Sequence, residues 1–233
     1  MKIRLDKYLA DMGCGTRSQV KQEISKGHVT VNDAVVRRPE YKINTDEDRV
    51  CLSGLDVAYE KYEYYMLNKP AGVVSAVRDS VDKTVLDLID SRRDDLFPAG
   101  RLDKDTEGLL LITNDGELAH RLLSPRKHVD KVYYARIDGE VTEDDIIRFR
   151  NGIDIGDEKP SLPAELEILR SGRESEILLT IREGRFHQVK RMFHATGKEV
   201  LYLKRLQMGT LKLDENLAQG EYRRLTEEEV NAL

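Results

Sequence analysis

The sequence lacks tryptophan, has little cysteine and contains no long hydrophobic run. Its two cysteines, Cys14 and Cys51, are too few for a disulfide framework or a zinc site, so we expect reduced thiols in packed positions. No apolar stretch approaches the length of a membrane span, and the charged N-terminus has no signal-peptide core. We therefore expect a cytoplasmic protein that does not insert into a membrane.

The charged residues, 35% of the 233-residue chain, are unevenly distributed. The net charge is -5, but residues 1–42 contain nine bases and five acids, a local net charge of +4. Much of the compensating acidity is concentrated in residues 214–229. Because binding of nucleic acid depends on local basic patches, the acidic total does not exclude an RNA partner.

The N-terminal part has the pattern of a small helical module. Apolar spacing predicts a helix over residues 4–12 and a second helix that Thr16 or Ser18 caps and that ends near Gly27. Residues 28–36 then alternate like two strands joined by a turn. The order is therefore helix, helix and hairpin, with bases along the helices.

A change of composition marks a second domain. Residues 45–61 are acidic and then mixed, and a strand pattern begins at residue 62. We predict a first domain over 1–53, a linker over 54–61 and a second domain over 62–233. Within the second domain, residues 164–169 and 176–181 alternate as paired antiparallel strands would.

Residues 97–113, FPAGRLDKDTEGLLLIT, are the most informative stretch. Asp103 lies beside Arg101 in a glycine-bounded loop, immediately before a solid apolar run at 109–113. Such a run predicts a buried strand, which would hold Asp103 in a fixed position as catalytic groups require. An exposed charged turn is the alternative reading of the same pattern.

Three separated motifs resemble those of the RNA pseudouridine synthases. They are G-R-L-D at 100–103, K-V-Y at 131–133 and E-G-R-F-H-Q-V-K-R-M at 183–192. S-P-R at 124–126 resembles the pattern of one branch of that family, typified by the small-subunit ribosomal enzyme. The first 45 or so residues resemble an S4 RNA-binding module. N-K-P-A-G-V at 68–73 also resembles a family segment, to which we assign no chemistry.

The resemblance implies an α+β protein: an S4 module of helices plus a hairpin, followed by a pseudouridine synthase α/β domain on a mainly antiparallel sheet. It implies that Asp103 is the catalytic carboxylate and that Lys190 pairs with it, Arg191 being the substitute if the register is off by one. Tyr133 matches the motif tyrosine and would contact the uracil, whereas Tyr134 would face the other side of its strand.

The implied reaction is an isomerisation, so it needs no cofactor and no metal. The implied partner is ribosomal RNA, most specifically that of the small subunit, free or in a partly assembled particle, and we expect a monomer. The residues predicted to contact RNA are basic: Arg101, Arg126, Lys131, Arg185 and Arg191 in the second domain, and Arg4, Arg17, Lys21 and Lys26 in the first.

Three other functions are compatible with parts of the pattern. The chain could modify large-subunit rRNA, since the motif core is shared between the enzymes, or it could be a non-catalytic RNA-binding or ribosome-assembly protein. It could also use Asp103 and Asp105 to hold a metal for phosphodiester cleavage, although two carboxylates two residues apart are a weak signal.

Overall fold

In the computed structural model, which describes residues 1–233, the chain forms two units. The first comprises Met1–Tyr62 and Asp90–Leu96, and the second comprises Glu63–Ile89 and Phe97–Leu233. None of the helices is both long enough and apolar enough to cross a membrane.

The first unit has the predicted order of helix, helix and hairpin. Thr16 caps α2 through a capping box, because its hydroxyl accepts from the Gln19 amide while the Gln19 side chain accepts from the Thr16 amide. The elements are β1 (Lys2–Arg4), α1 (Leu5–Asp11), α2 (Arg17–Lys26), β2 (Val29–Val31), β3 (Ala34–Val35), β4 (Lys42–Asn44), β5 (Val50–Leu52) and β6 (Leu55–Asp56). They form the antiparallel sheets β1-β4 and β3-β2-β5-β6 around an apolar core.

The first unit extends beyond the predicted boundary at residue 53. Ser53 and Gly54 turn the chain into β6, which pairs with β5, and Val57 and Tyr59 pack on the core of this unit. The predicted linker at 54–61 is thus part of the unit, because apolar side chains within it are covered there.

The segment Asp90–Leu96 also belongs to the first unit, although we had placed it in the second domain. The guanidinium of Arg93 donates to the Glu60 carbonyl at 2.7 Å and pairs with Asp95, which holds the segment there.

The second unit is built on one mixed sheet. Its elements are β7 (Tyr64–Lys69), a 3-10 helix (Val85–Leu88), β8 (Phe97–Pro98), β9 (Glu107–Thr113), α3 (Gly116–Leu123), a 3-10 turn (Pro125–Lys127), β10 (Lys131–Asp138), α4 (Glu143–Asn151), β11 (Glu165–Arg170), β12 (Glu174–Ile181), α5 (Gln188–His194), β13 (Glu199–Met208), β14 (Leu211–Lys212), β15 (Tyr222–Arg224) and α6 (Glu227–Ala232).

The main path of the sheet runs β11-β12-β10-β13-β9-β7-β15, with β14 on β13 and β8 on β9. Every pairing is antiparallel except β9 with β13, so the predicted mainly antiparallel sheet is confirmed. Strand β9 is buried along its whole length, as its apolar run predicts. Because β9 follows the Asp103 loop directly, the loop leads into an interior strand of the sheet.

Gly108 allows the parallel pair to form. A Cβ atom at this position would lie 2.3 Å from the carbonyl oxygen of Arg205 in β13, and the φ angle of Gly108 is +96°. Only glycine satisfies both requirements at low cost.

Candidate active site

The loop that carries Asp103 is held on both sides by the segment after β7. The Ser75 hydroxyl accepts from the Leu102 amide at 3.0 Å and donates to the Leu102 carbonyl at 2.8 Å. The Gly72 amide donates to the Lys104 carbonyl at 2.7 Å. The Asp103 side chain itself is 26% exposed. The carboxylate is therefore fixed in position but accessible to a substrate.

Lys190, on α5, contacts two carboxylates at once. Its Nζ lies 3.2 Å from Oδ2 of Asp103 and 2.6 Å from Oδ1 of Asp105. Burial disfavours the charge of Lys190, but the hydrogen bonds and charges of Asp105 and Asp103 outweigh it and raise the lysine pKa. Burial likewise opposes ionisation of Asp105, but Lys190 lowers the pKa of that carboxyl. Asp103 thus has a cationic partner in Lys190.

Asp105 and His187, which we did not predict as catalytic residues of a synthase, also lie beside the pair of Asp103 and Lys190. Asp105 shares the ammonium group of Lys190, and Nε2 of His187 lies 3.7 Å from Oδ1 of Asp103. In the sequence, both residues are charged or titratable neighbours of a motif residue, Asp105 of Asp103 and His187 of Lys190. Only the fold brings the two segments together.

Tyr133 reaches the same place from β10. The odd-numbered residues of this strand, Lys131 to Ile137, face the interior, and Tyr133 is 7% exposed. Tyr134 points to the opposite face, where its hydroxyl donates to Glu176 at 2.9 Å. The two adjacent tyrosines are therefore not interchangeable, as the strand alternation predicts.

One cleft joins the three motifs. Its lining combines the carboxylate and its lysine with an aromatic ring and apolar side chains: Arg101, Leu102, Asp103, Thr106, Tyr133, Ile181, Gly184, Arg185, His187, Gln188, Val189, Lys190 and Leu203. Such a mixture can hold a planar base against a charged pair.

Comparison with known proteins shows the family to which the chain belongs. A model of the RNA pseudouridylate synthases matches residues 63–195, and a model of the S4 domain matches residues 3–50. The chain belongs to the RNA pseudouridylate synthase family. A Bacillus subtilis (strain 168) protein described as an uncharacterized RNA pseudouridine synthase is 46% identical over 99% of this chain and 98% of its own length.

Other relatives of the synthase carry more specific names. The ribosomal small subunit pseudouridine synthase A of Vibrio cholerae is 42% identical over 99% of each chain, and that of Escherichia coli K12 is 41% identical over 98% of each. A solved pseudouridylate synthase superposes with a TM-score of 0.70 at 38% identity, over 99% of both chains. The predicted fold, S4 module and isomerase class are thereby confirmed.

Three of the bases predicted to contact RNA are exposed and make no side-chain hydrogen bond or ion pair. Arg101 lines the mouth of the synthase cleft, Arg126 lies in the 3-10 turn after α3, and Arg17 begins α2 of the S4 module. Their guanidinium groups are available to phosphate.

The other S4-module bases are engaged with acids. Arg4 donates twice to the buried Asp6 at 2.9 Å, and Lys21 lies 4.0 Å from the same carboxylate. Lys26 pairs with Glu23 at 3.0 Å. Each of these side chains still exposes about half of its surface, so phosphate contact remains a prediction for them.

Lys131 is not at the surface where we had expected it to meet RNA. It is 4% exposed, and its ammonium group donates to the Val129 carbonyl at 2.9 Å. Burial and the nearby charge of Arg205 lower its pKa. The reason is strand register, since position 131 shares the interior face of β10 with Tyr133.

Arg185 and Arg191 hold the turn before α5 rather than extending into solvent. Arg185 donates to the carbonyls of Lys159 and Pro160 at 2.6 and 2.9 Å, and Arg191 donates to the Ile155 carbonyl. Both side chains are only about a quarter exposed. Loop 154–160 thus supplies acceptors to both guanidinium groups, and their contact with RNA stays a prediction.

Lys69 is the residue that sequence reasoning missed. It is fully buried at the end of β7, and its ammonium group donates to the carbonyls of Pro70, Lys104 and Thr106 at 3.0, 3.3 and 2.8 Å. Burial lowers its pKa to about 8. Two of its acceptors belong to the Asp103 loop, so Lys69 positions that loop. The sequence signals were the resemblance of N-K-P-A-G-V at 68–73 to a family segment, to which we assigned no chemistry, and a lysine at the end of an otherwise buried strand.

Proposed function

We propose that this synthase converts one uridine of small-subunit ribosomal RNA to pseudouridine and that Asp103 is the catalytic carboxylate. The observation that carries the proposal is the pair of Asp103 and Lys190 in a cleft that also contains Tyr133. Relatives at 41–42% identity over almost the full chain are named for the small ribosomal subunit, which supports that substrate.

The reaction breaks the bond between C1′ and N1, turns the uracil, and joins C1′ to C5. The proton on C5 is then lost and N1 gains one, so atoms and electrons balance without an added reagent. A carboxylate can support such a step by acting at the sugar or at the base, as carboxylates do in glycoside chemistry. The partly exposed Asp103 is the group available for this role.

The other residues of the cleft supply position and charge. Lys190 compensates the charge of Asp103, and the ring of Tyr133 offers a face on which uracil can stack. The exposed Arg101 can hold the phosphate of a nucleotide that has turned out of its helix.

No observation favours the metal-dependent alternative. Asp103 and Asp105 both lie against the ammonium group of Lys190, which occupies the place between them and offsets one of their two charges. A divalent ion between them would have to displace that group.

The substrate is tested by tritium release from RNA that carries 5-tritiated uridine. We expect release from small-subunit rRNA, either free or in an assembly intermediate, and none from large-subunit rRNA. Release from large-subunit rRNA alone would show that large-subunit rRNA is the substrate. Binding of both RNAs without release from either would favour the non-catalytic alternative.

A further inference from the structure

Phe186, the residue before the cleft residue His187, has an exposed aromatic side chain. It is 75% exposed, whereas the other large apolar residues from here to the end of α5, Val189, Met192 and Phe193, are buried. The apolar surface on this turn is therefore one ring wide. A patch of that size matches a single base better than it matches the contiguous surface of a protein interface.

The ring of Phe186 continues a stack that starts inside the cleft. Its centroid lies 3.8 Å from that of the His187 ring, with 17° between the planes. His187 lines the cleft beside Asp103, and its φ of +45° lets two consecutive rings lie face to face. The two rings thus lead from the reacting carboxylate towards solvent.

Hydrogen bonds fix the turn that carries Phe186. The Phe186 carbonyl accepts from Arg191 at 3.1 Å, and the Arg185 amide donates to the Gln188 side chain at 2.9 Å. The guanidinium of Arg185 is held by the Pro160 carbonyl. A ring on such a turn is preorganised, so little conformational entropy is lost when a ligand stacks on it.

We propose that Phe186, stacked on His187, is a platform for the RNA base next to the target uridine. The inference rests on the proposed function. When the uridine turns into the cleft, its neighbour loses a stacking partner, and an aromatic face at the rim can replace that partner whatever the neighbouring base is. The exposed guanidinium of Arg101, at the same cleft, lies where it can hold the connecting phosphate.

The test compares Phe186→Ala, Phe186→Leu and Phe186→Tyr with the native synthase. Single-turnover tritium release from small-subunit rRNA is measured against enzyme concentration, and melting temperature is recorded for each variant. The control is Ile147→Ala, which truncates another exposed apolar residue, 54% exposed on α4. We expect the half-saturating concentration to rise about 5- to 100-fold for the alanine and leucine variants, as the loss of one stacked base implies.

The aromatic variant separates stacking from simple apolar contact. The half-saturating concentration of Phe186→Tyr should lie within about threefold of that of the native protein, and that of Ile147→Ala should equal it. All melting temperatures should agree, because the ring of Phe186 is exposed. If Phe186→Leu binds as well as the native protein, or if Phe186→Ala has no effect, the platform is wrong. A native protein that releases no tritium would instead refute the proposed function.

A fluorescent base provides a second test of stacking on Phe186. Once the modified uridine is mapped, a short RNA with 2-aminopurine next to it can be bound to Asp103→Asn protein, which keeps Phe186. We expect the 2-aminopurine to be quenched on one side of the target, and the quenching to be lost when Phe186→Ala is added. Equal quenching with and without the ring would contradict the proposal.

Discussion

Lys190 is the ammonium partner of two carboxylates in the proposed active-site cleft. Since it approaches Asp103 and Asp105 at 3.2 and 2.6 Å, removing its charge leaves two neighbouring anions uncompensated. We predict that Lys190→Met lowers the single-turnover rate about 100-fold or more, as loss of one electrostatic group in an active site typically does.

Lys190→Arg is the matched variant, since it restores the cation. It should recover a large part of the rate, while the melting temperatures of both variants stay close to that of the native protein. Equal rates for Lys190→Met and the native protein would show that the charge has no catalytic role.

Loss of the Lys69 proton should make the single-turnover rate of the synthase depend on pH. Its three carbonyl acceptors require all three N–H donors, so loss of a proton at the lowered pKa of about 8 leaves one carbonyl facing a lone pair. The Asp103 loop should then be held less firmly. We predict that the single-turnover rate falls as the pH rises from 7 to 9, and a pH–rate profile measures this.

Stability should change in the opposite direction over the same range. The unfolded lysine keeps its proton up to its ordinary pKa of 10.5, whereas the folded one loses it near 8. Between these values the unfolded state binds more protons, so this group makes the free energy of unfolding rise with pH. A rate that stays level up to pH 9 would contradict the role of Lys69.

Among the elements, the parallel pairing of β9 with β13 depends on Gly108. A methyl group there would meet backbone of β13 at 2.3 Å, and the residue would be strained at φ +96°. We predict that Gly108→Ala costs about 1–3 kcal/mol, which corresponds to a fall of several degrees in melting temperature.

Gly116→Ala is the control for this prediction, since a Cβ atom there meets nothing within 4 Å. It should change the melting temperature little. If both variants melt like the native protein, the close approach of the two strands is not a constraint on the fold.

The elements also show what a sequence can predict. Strand alternation placed Tyr133 and Tyr134 on opposite faces, and the apolar run predicted the buried β9, because both depend on local periodicity. The same alternation buries Lys131, which charge alone had suggested for RNA. The role of Lys69 could not be predicted, since its acceptors at Lys104 and Thr106 are more than 30 residues away along the chain.

For the whole molecule, the net charge is -5 although residues 1–42 carry a local net charge of +4. Arg17 is an exposed base of the N-terminal module whose guanidinium makes no hydrogen bond or ion pair. Each phosphate contact releases counterions, so Arg17→Ala should reduce the slope of log affinity against log salt by about 0.7–0.9. Binding of small-subunit rRNA at several salt concentrations measures this slope.

Arg173→Ala is the charge-matched control, because Arg173 is exposed in the turn between β11 and β12 of the second unit. It should leave the slope unchanged. Equal slopes for Arg17→Ala and the native protein would remove Arg17 from the RNA-binding surface.

The domain boundaries mark the limit of sequence reasoning at this scale. Composition located the change of domain near residue 60, but it could not show that Asp90–Leu96 returns to the first unit, because Arg93 and Glu60 meet only in the folded chain. In the same way, the sequence could not show that loop 154–160 supplies acceptors to Arg185 and Arg191, because these acceptors lie 26 and 36 positions away along the chain.

The most direct measurement is tritium release from small-subunit rRNA by the native protein, Asp103→Asn and Asp105→Asn, in the presence of chelator. Both variants remove a carboxylate that contacts Lys190, but only Asp103 is assigned to the chemistry. We predict release by the native protein, none by Asp103→Asn and substantial release by Asp105→Asn. Equal release by the native protein and Asp103→Asn would contradict the account.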